Sequence, residues 1–207
     1  MKILVVYYST YGHVEALAKA VCEGVEEVPG VELVLRRVHE FPEYVQHMEQ
    51  EKGFSYQVYK QQQSVPECTV DDLREADGVL FGSPTRYGNM SAQMKALFDS
   101  TGQLWLKGEM EGKPAGVFTS TGTTHGGQET TLLTMMVPLL HLGMVIVGVP
   151  YSTPGMTHSE ARGGTPYGAS TIAGPTGELQ PAPGDLAIAK AQGKRVSEAA
   201  LALRAKK

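Results

Sequence analysis

Three short stretches of this chain combine hydroxyl, glycine and aromatic residues in a way that could hold a flat, phosphorylated ligand. They are Ser9-Thr10-Tyr11-Gly12-His13-Val14, Pro84-Thr85-Arg86-Tyr87-Gly88 with Asn89 and Met90, and Ser120-Thr121-Gly122-Thr123-Thr124-His125-Gly126 with Gly127 and Gln128. Each follows a near-continuous apolar run. In an open α/β sheet, ligands sit beyond the carboxyl ends of the strands. One polar turn after a strand is ordinary; three together make a ligand site the better reading. In the first stretch the chain passes from strand pattern through a turn into helix pattern. Its N–H groups and the Ser9 and Thr10 hydroxyls can therefore close around a phosphate at the positive end of the helix. No lysine or arginine lies between Tyr7 and Ala18, and neither G-x-G-x-x-G nor G-x-x-x-x-G-K-[ST] is present. A hydroxyl-rich, lysine-free turn of this kind points to flavin mononucleotide (FMN). The second stretch suits one edge of the flavin ring. Glycines in the third let backbone N–H donors approach N1, C2=O and N5 without side-chain obstruction.

The elements that must position these stretches are legible as patterns. Residues 2–8, 31–38, 78–83, 114–119 and 144–150 are rich in Val, Ile, Leu and Phe and do not alternate, as expected for strands buried on both faces of a parallel sheet. Val14, Leu17, Ala18, Val21, Cys22, Val25 and Val28 repeat at helical spacing, with Glu15, Lys19, Glu23 and Glu26 opposite, and Pro29-Gly30 ends that helix. Further helices are marked by Met90–Phe98, by Leu132–His141 with a kink expected at Pro138, and by Leu186–Leu203. The fold class expected is α/β: a flavodoxin-like, doubly wound, five-stranded parallel sheet with helices on both faces. One domain, 1–207, is expected, with two extra segments. Residues 39–70 read as a helical excursion plus loop, and the Gly-, Pro-, Ser- and Thr-rich 151–183 as a long functional connection.

The bulk properties bound the function. A net charge of −4 gives no electrostatic case for nucleic acid or an anionic membrane surface. No apolar run is long enough to span a bilayer, and the start of the chain lacks a signal-peptide pattern, so a cytoplasmic location is expected. Cys22 and Cys68 are isolated, which suggests neither disulfide nor metal. Cys68 and Arg74 have the C-x5-R spacing of a phosphatase loop, but two aspartates and no glycine lie between them. No exposed apolar stripe is apparent that would dock a protein partner.

Several stretches resemble the WrbA family: Tyr7–Glu15, Phe81–Gln93, Phe118–Glu129, His141–Val147 and Arg162–Ala173. The last of these has no counterpart in ordinary flavodoxins; the likeness covers most of the chain and is poorest over about 40–70. Members of that family are flavodoxin-like NAD(P)H:quinone oxidoreductases that bind FMN and form tetramers. The resemblance implies that Ser9, Thr10, Tyr11, Gly12, His13 and Val14 hold the FMN phosphate and ribityl chain. It implies that Thr85, Arg86 and Tyr87, flanked by Pro84 and Gly88, meet the isoalloxazine, and that Ser120, Thr121, Gly122, Thr123 and Gly126 contact it from the third stretch. His141 would act catalytically, reaching the flavin of a neighbouring subunit. Tyr11 and Trp105 would border the space for nicotinamide and quinone. The third stretch is about one residue longer than the family's usual run, at Thr124-His125. Taken alone, a histidine ending an apolar helix is ordinarily there for the helix dipole, and a lone tryptophan is ordinarily a core or interface anchor. The implied activity is two-electron reduction of a quinone by NADH or NADPH through FMN, in ping-pong order. The alternative is a flavodoxin-type one-electron carrier, which is usually more acidic than this chain.

Overall fold

The computed structural model describes residues 1–204. Its centre is a parallel sheet in the order β2-β1-β3-β4-β5, built from β1 (Lys2–Tyr7), β2 (Glu32–Arg37), β3 (Gly78–Pro84), β4 (Pro114–Thr121) and β5 (Val145–Ile146). This is the doubly wound arrangement expected from the sequence, with the strand order reversing beside β1. Alternate residues of one strand feed two separate cores. Leu4 and Val6 face a cluster with Val79, Phe81, Met94, Leu132 and Leu139. Ile3 and Val5 face another with Val14, Leu17, Val21, Ile188 and Val196. Both faces are covered, which is why the strands read as continuous apolar runs.

The fifth strand departs from expectation. Residues 144–150 yield only the two-residue β5, which pairs with Pro114 and Ala115 at the start of β4. A further strand, β6 (Ala169–Ile172), pairs in parallel with Phe118–Thr121 at the end of β4. One edge position is thus filled by two pieces of chain, and residues 147–168 bulge out between them. The segment 151–183 is therefore not only a connection, because the longer piece of the edge strand lies inside it. β6 has the sequence Ala-Ser-Thr-Ile, without an apolar run. Two of its buried polar groups have partners supplied from elsewhere: the Ser170 hydroxyl donates to Gln128 Oε1 at 2.6 Å, and Ala169 N–H donates to Gln192 Oε1 at 2.9 Å.

The helices follow the periodicity. They are α1 (His13–Glu26), α2 (Pro42–Glu51), α3 (Phe54–Gln61), α4 (Val70–Glu75), α5 (Ala92–Asp99), α6 (Gly102–Leu106), α7 (Gln128–His141) and α8 (Pro183–Arg204). α2, α3 and a single 3-10 turn (Gln62–Ser64) form the excursion after β2. α4 begins at a reciprocal cap between Thr69 and Asp72. α7 runs on through Pro138. Cys22 is buried and Cys68 half-buried; both thiols are free, and desolvation pushes each up to about 12, so neither is nucleophilic at neutral pH. Arg74 pairs with Asp71 and Glu109, which leaves no phosphate loop between Cys68 and Arg74.

α1 and α8 cross at the backbone. A Cβ on Gly24 would strike the Lys190 carbonyl, and one on Gly193 would strike the Val21 carbonyl. Because α1 begins at the first of the three candidate stretches, this contact fixes where that stretch stands. Gly193→Ala should lower stability by roughly 1–3 kcal/mol, the usual cost of overpacking, as read from urea unfolding. A loss below the measurement error would show that the two helices have room to part.

Candidate active site

All strands are parallel, so every loop after a strand opens at the same end of the sheet. There a pocket of about 350 Å³ is lined by Ser9, Thr10, Tyr11, His13 and Val14, by Pro84, Thr85 and Arg86, by Ser120, Thr121 and Gly122, and by Ala173–Gly177. The three stretches expected from the sequence therefore converge. The fourth wall, after β6, went unrecognised in the sequence. The clue was present as a Gly-Pro-Thr-Gly turn at 174–177, but without β6 nothing placed that turn at the correct end of the sheet.

The first loop is shaped for an anion. Gly12 caps α1 with φ of 90°, a backbone angle that strains any side chain. Its N–H is held by the Ser9 hydroxyl at 3.1 Å. The N–H groups of the first turn of α1 have no partner within the helix. His13 is buried, and its Nε2 has no hydrogen-bond partner. A buried orphan nitrogen beside unpaired helix N–H groups is costly without a ligand, and a phosphate would satisfy both. The sequence shows no cation in this loop, but the fold delivers one. Arg86 Nη2 donates to Thr10 Oγ1 at 3.0 Å, and Nη1 to the Thr85 carbonyl at 2.9 Å.

The second loop is a two-residue reversal. Arg86 and Asn89 exchange backbone hydrogen bonds at 2.7 and 3.1 Å, with Tyr87 and Gly88 both at positive φ. Tyr87 projects wholly into solvent. Thr85 Oγ1 accepts from Gly88 N–H at 3.1 Å and from the Thr131 hydroxyl at 2.8 Å, which fastens the reversal to α7. In the third loop the Thr123 carbonyl accepts from the Thr121 hydroxyl and the Gly126 N–H. Thr124 and His125 are the exposed tip of that turn, so the extra length is absorbed away from the pocket. A Cβ on Gly127 would lie 2.9 Å from the Gly88 Cα, so the second and third loops meet backbone to backbone.

Not every expected residue lines this pocket. Gly12, Tyr87, Gly88, Thr123 and Gly126 shape the loops without lining it. His141 and Trp105 are both exposed and lie at the opposite end of the sheet. α7 starts at the pocket and runs away from it for 14 residues, roughly 21 Å at 1.5 Å per residue. Trp105 lies on α6, close to the start of β4, and Gly112 N–H bonds the Gly143 carbonyl between them at 2.9 Å. Within one chain, neither side chain reaches the pocket.

The excursion after β2, read from sequence only as an insertion, supports the first loop from behind. Gln62 is buried, and its Nε2 donates to the carbonyls of Ser9 and Val58, each at 3.1 Å. It is the middle residue of a run of three glutamines, and nothing in the run itself distinguishes it.

Residues 1–158 match the model of the family described as NADPH-dependent FMN reductase. A protein from Geotalea daltonii named NAD(P)H dehydrogenase (quinone) is 52% identical over 98% of both chains. One of the same name from Geobacter sulfurreducens is also 52% identical, over 98% of this chain and 99% of its own. Among solved structures, a flavodoxin described as a WrbA-like protein from Agrobacterium tumefaciens superposes with a TM-score of 0.65 over 97% of this chain and 98% of its own, at 22% identity. Flavodoxin 1 from Bacillus cereus does so at 0.60 over 96% of this chain and 98% of its own, at 14% identity. Both structures share the fold with this chain.

If Gln62 positions the first loop, Gln62→Leu should weaken FMN binding about tenfold, the order expected for one lost hydrogen bond and an orphaned carbonyl. Gln61→Ala, at an exposed neighbour, should leave binding unchanged. Quenching of FMN fluorescence on titration with protein measures both. Equal affinities in the two variants would remove Gln62 from this role.

Proposed function

Because the chain belongs to the NADPH-dependent FMN reductase family, we propose that it is an FMN-dependent NAD(P)H:quinone oxidoreductase. The observation that carries this reading is the pocket built by four strand-end loops, with an anion-seeking first turn and backbone-rich walls for a flat ring. The names of the two half-identical relatives support the substrates. Bound FMN supplies the two-electron chemistry between nicotinamide and quinone. The chain supplies position. Ser9, Thr10, His13 and the first turn of α1 hold the phosphate. Pro84–Arg86 and Ser120–Gly122 flank the ring, and Ala173–Gly177 closes the remaining side. Tyr11, half exposed at the mouth, offers a face on which nicotinamide and quinone can stack. Two flat substrates sharing one space must occupy it in turn, which is the basis for ping-pong kinetics. No helix among the described residues is long and apolar enough to cross a membrane. Two free cysteines suit a reducing, cytoplasmic compartment.

We propose further that the enzyme is a homotetramer in which His141 and Trp105 complete a neighbouring copy's pocket. The surface supports an assembly and corrects the expectation that no apolar stripe is exposed. Leu133, Val137 and Leu140 lie at helical spacing on the outer face of α7, each more than two-fifths exposed, and Trp105 and Leu106 lie at the same end of the sheet. A patch of this kind on a single chain marks an interface.

Anaerobic titration tests the activity. NADH or NADPH should bleach the bound flavin rapidly without a persistent one-electron colour, and benzoquinone should restore the absorbance in full. Slow bleaching or a lasting one-electron spectrum would favour the electron carrier. For the assembly, Leu140→Asp should shift the mass seen by light scattering from four chains towards one. His141→Ala should slow turnover more than it weakens FMN binding. A wild-type monomer that carries FMN, or normal turnover in His141→Ala, would overturn the shared site.

A further inference from the structure

A second cavity adjoins the flavin pocket and has no part in the reading above. It is a groove of about 620 Å³, larger than the pocket, between the α2–α3 excursion and the loop before α5. The two spaces share Thr10, Tyr11 and Arg86 as a common wall. A ring lying beside Tyr11 at the mouth therefore has its substituents directed either to solvent or into this groove.

The lining indicates what would enter. Tyr8, Met48 and Met90 are buried along it, and the half-exposed Tyr11 and Tyr44 flank it. Aromatic and thioether surfaces of this kind adapt to flat or flexible apolar groups. The charged groups around them are already engaged, by ion pairs or by neutral hydrogen-bond partners. Glu40 is buried, and its carboxylate accepts from Tyr8 Oη at 2.6 Å, from Gln93 Nε2 at 2.6 Å and from Phe41 N–H at 3.0 Å. Lys95 pairs with Asp99, His47 faces Glu51 at 3.4 Å, and Arg86 is engaged by the first loop. Along the lining the two cations Arg86 and Lys95 are equalled in number by the two acidic residues Glu40 and Glu51. A groove with matched charges offers little to the pyrophosphate of a dinucleotide, which needs cations or helix N–H groups left free. It suits a neutral occupant.

We propose that this groove is a substrate subsite that receives the apolar substituent of a ring-substituted quinone, such as the isoprenoid side chain of a naphthoquinone, while the quinone ring stacks beside Tyr11. The inference rests on the quinone reductase reading and narrows it to quinones that carry an extended apolar group.

The test uses FMN-loaded enzyme with NADPH and three acceptors: benzoquinone, 2-methyl-1,4-naphthoquinone and its 3-prenyl derivative. KM should fall along that series in the wild type. Ala92→Phe places a ring into the groove from an exposed position at the start of α5. It should raise KM for the prenylated quinone about tenfold, the order set by filling an apolar subsite, and leave benzoquinone within about twofold. Tyr44→Ala removes one exposed flank and should raise the same KM several-fold; it decides the matter if Ala92→Phe does not retain FMN. Equal changes for all three quinones, or no change for any, would overturn the subsite. A change confined to the KM for NADPH would assign the groove to the nucleotide and overturn it too. Failure of benzoquinone to reoxidise the wild-type flavin would instead sink the quinone reductase reading, and the subsite with it. Loss of the series trend alone leaves that reading standing.

Discussion

In the proposed reading the first turn of α1 holds an anion with no cation of its own, and much of the structure serves that constraint. Backbone N–H groups attract a phosphate strongly only if they are fixed beforehand, since a loop that must order itself on binding spends the gain on entropy. This loop is fixed from several directions. The Ser9 hydroxyl holds the Gly12 N–H, Gln62 holds the Ser9 carbonyl, and Arg86 holds the Thr10 hydroxyl. α1 is pressed against α8 at Gly24 and Gly193, where no side chain separates the backbones. The restraints come from residues 53, 76 and about 170 positions away. A local motif is thus held by the whole domain.

That division also separates what could be read in the sequence from what could not. The strand cores were legible because burial on both faces leaves an unbroken apolar run, and the three loops were legible because each follows such a run. β6 was not. Its buried Ser170 and the backbone around it are stabilised by Gln128 and Gln192, neither of which lies near it in sequence. With β6 hidden, the fourth wall at Ala173–Gly177 was hidden too. Gln62 escaped notice for a different reason: its neighbours Gln61 and Gln63 are chemically identical, and only burial distinguishes it. Arg86, expected at the ring edge, has its guanidinium on Thr10, a contact with no sequence signature.

The split edge strand explains how one fold acquires a closed pocket. In an unbroken fifth strand the chain would pass directly from Val147 towards the ligand end. Here it leaves after Ile146, loops through residues 147–168 and returns to pair with the last four residues of β4. The return delivers Ala173 N–H to the Thr121 carbonyl at 2.7 Å. It also sets Gly177 near His13, where a side chain would lie 3.6 Å from the ring. That is ordinary contact, and it is the φ of 78° at this residue, strained for any side chain, that calls for glycine. The bulge therefore converts a three-sided cleft into a four-sided one without adding a second sheet.

Parallel strands impose a further consequence on the site. The crossover helices α1, α5, α7 and α8 return antiparallel to the strand before them, so their starts gather at the pocket end of the sheet and their ends gather away from it. α7 illustrates both: Gln128 lies beside Ser170 next to the third loop, and His141 lies a helix length away beside the apolar surface of Val137 and Leu140. A histidine there can meet a flavin only if a second copy brings its pocket to that surface. In the proposed tetramer the apolar stripe and the distant histidine would be two aspects of one arrangement, the surface that needs covering being also the one that carries His141. An enzyme built in the proposed way would gain a water-excluding roof from assembly, while its own loops stay committed to the cofactor.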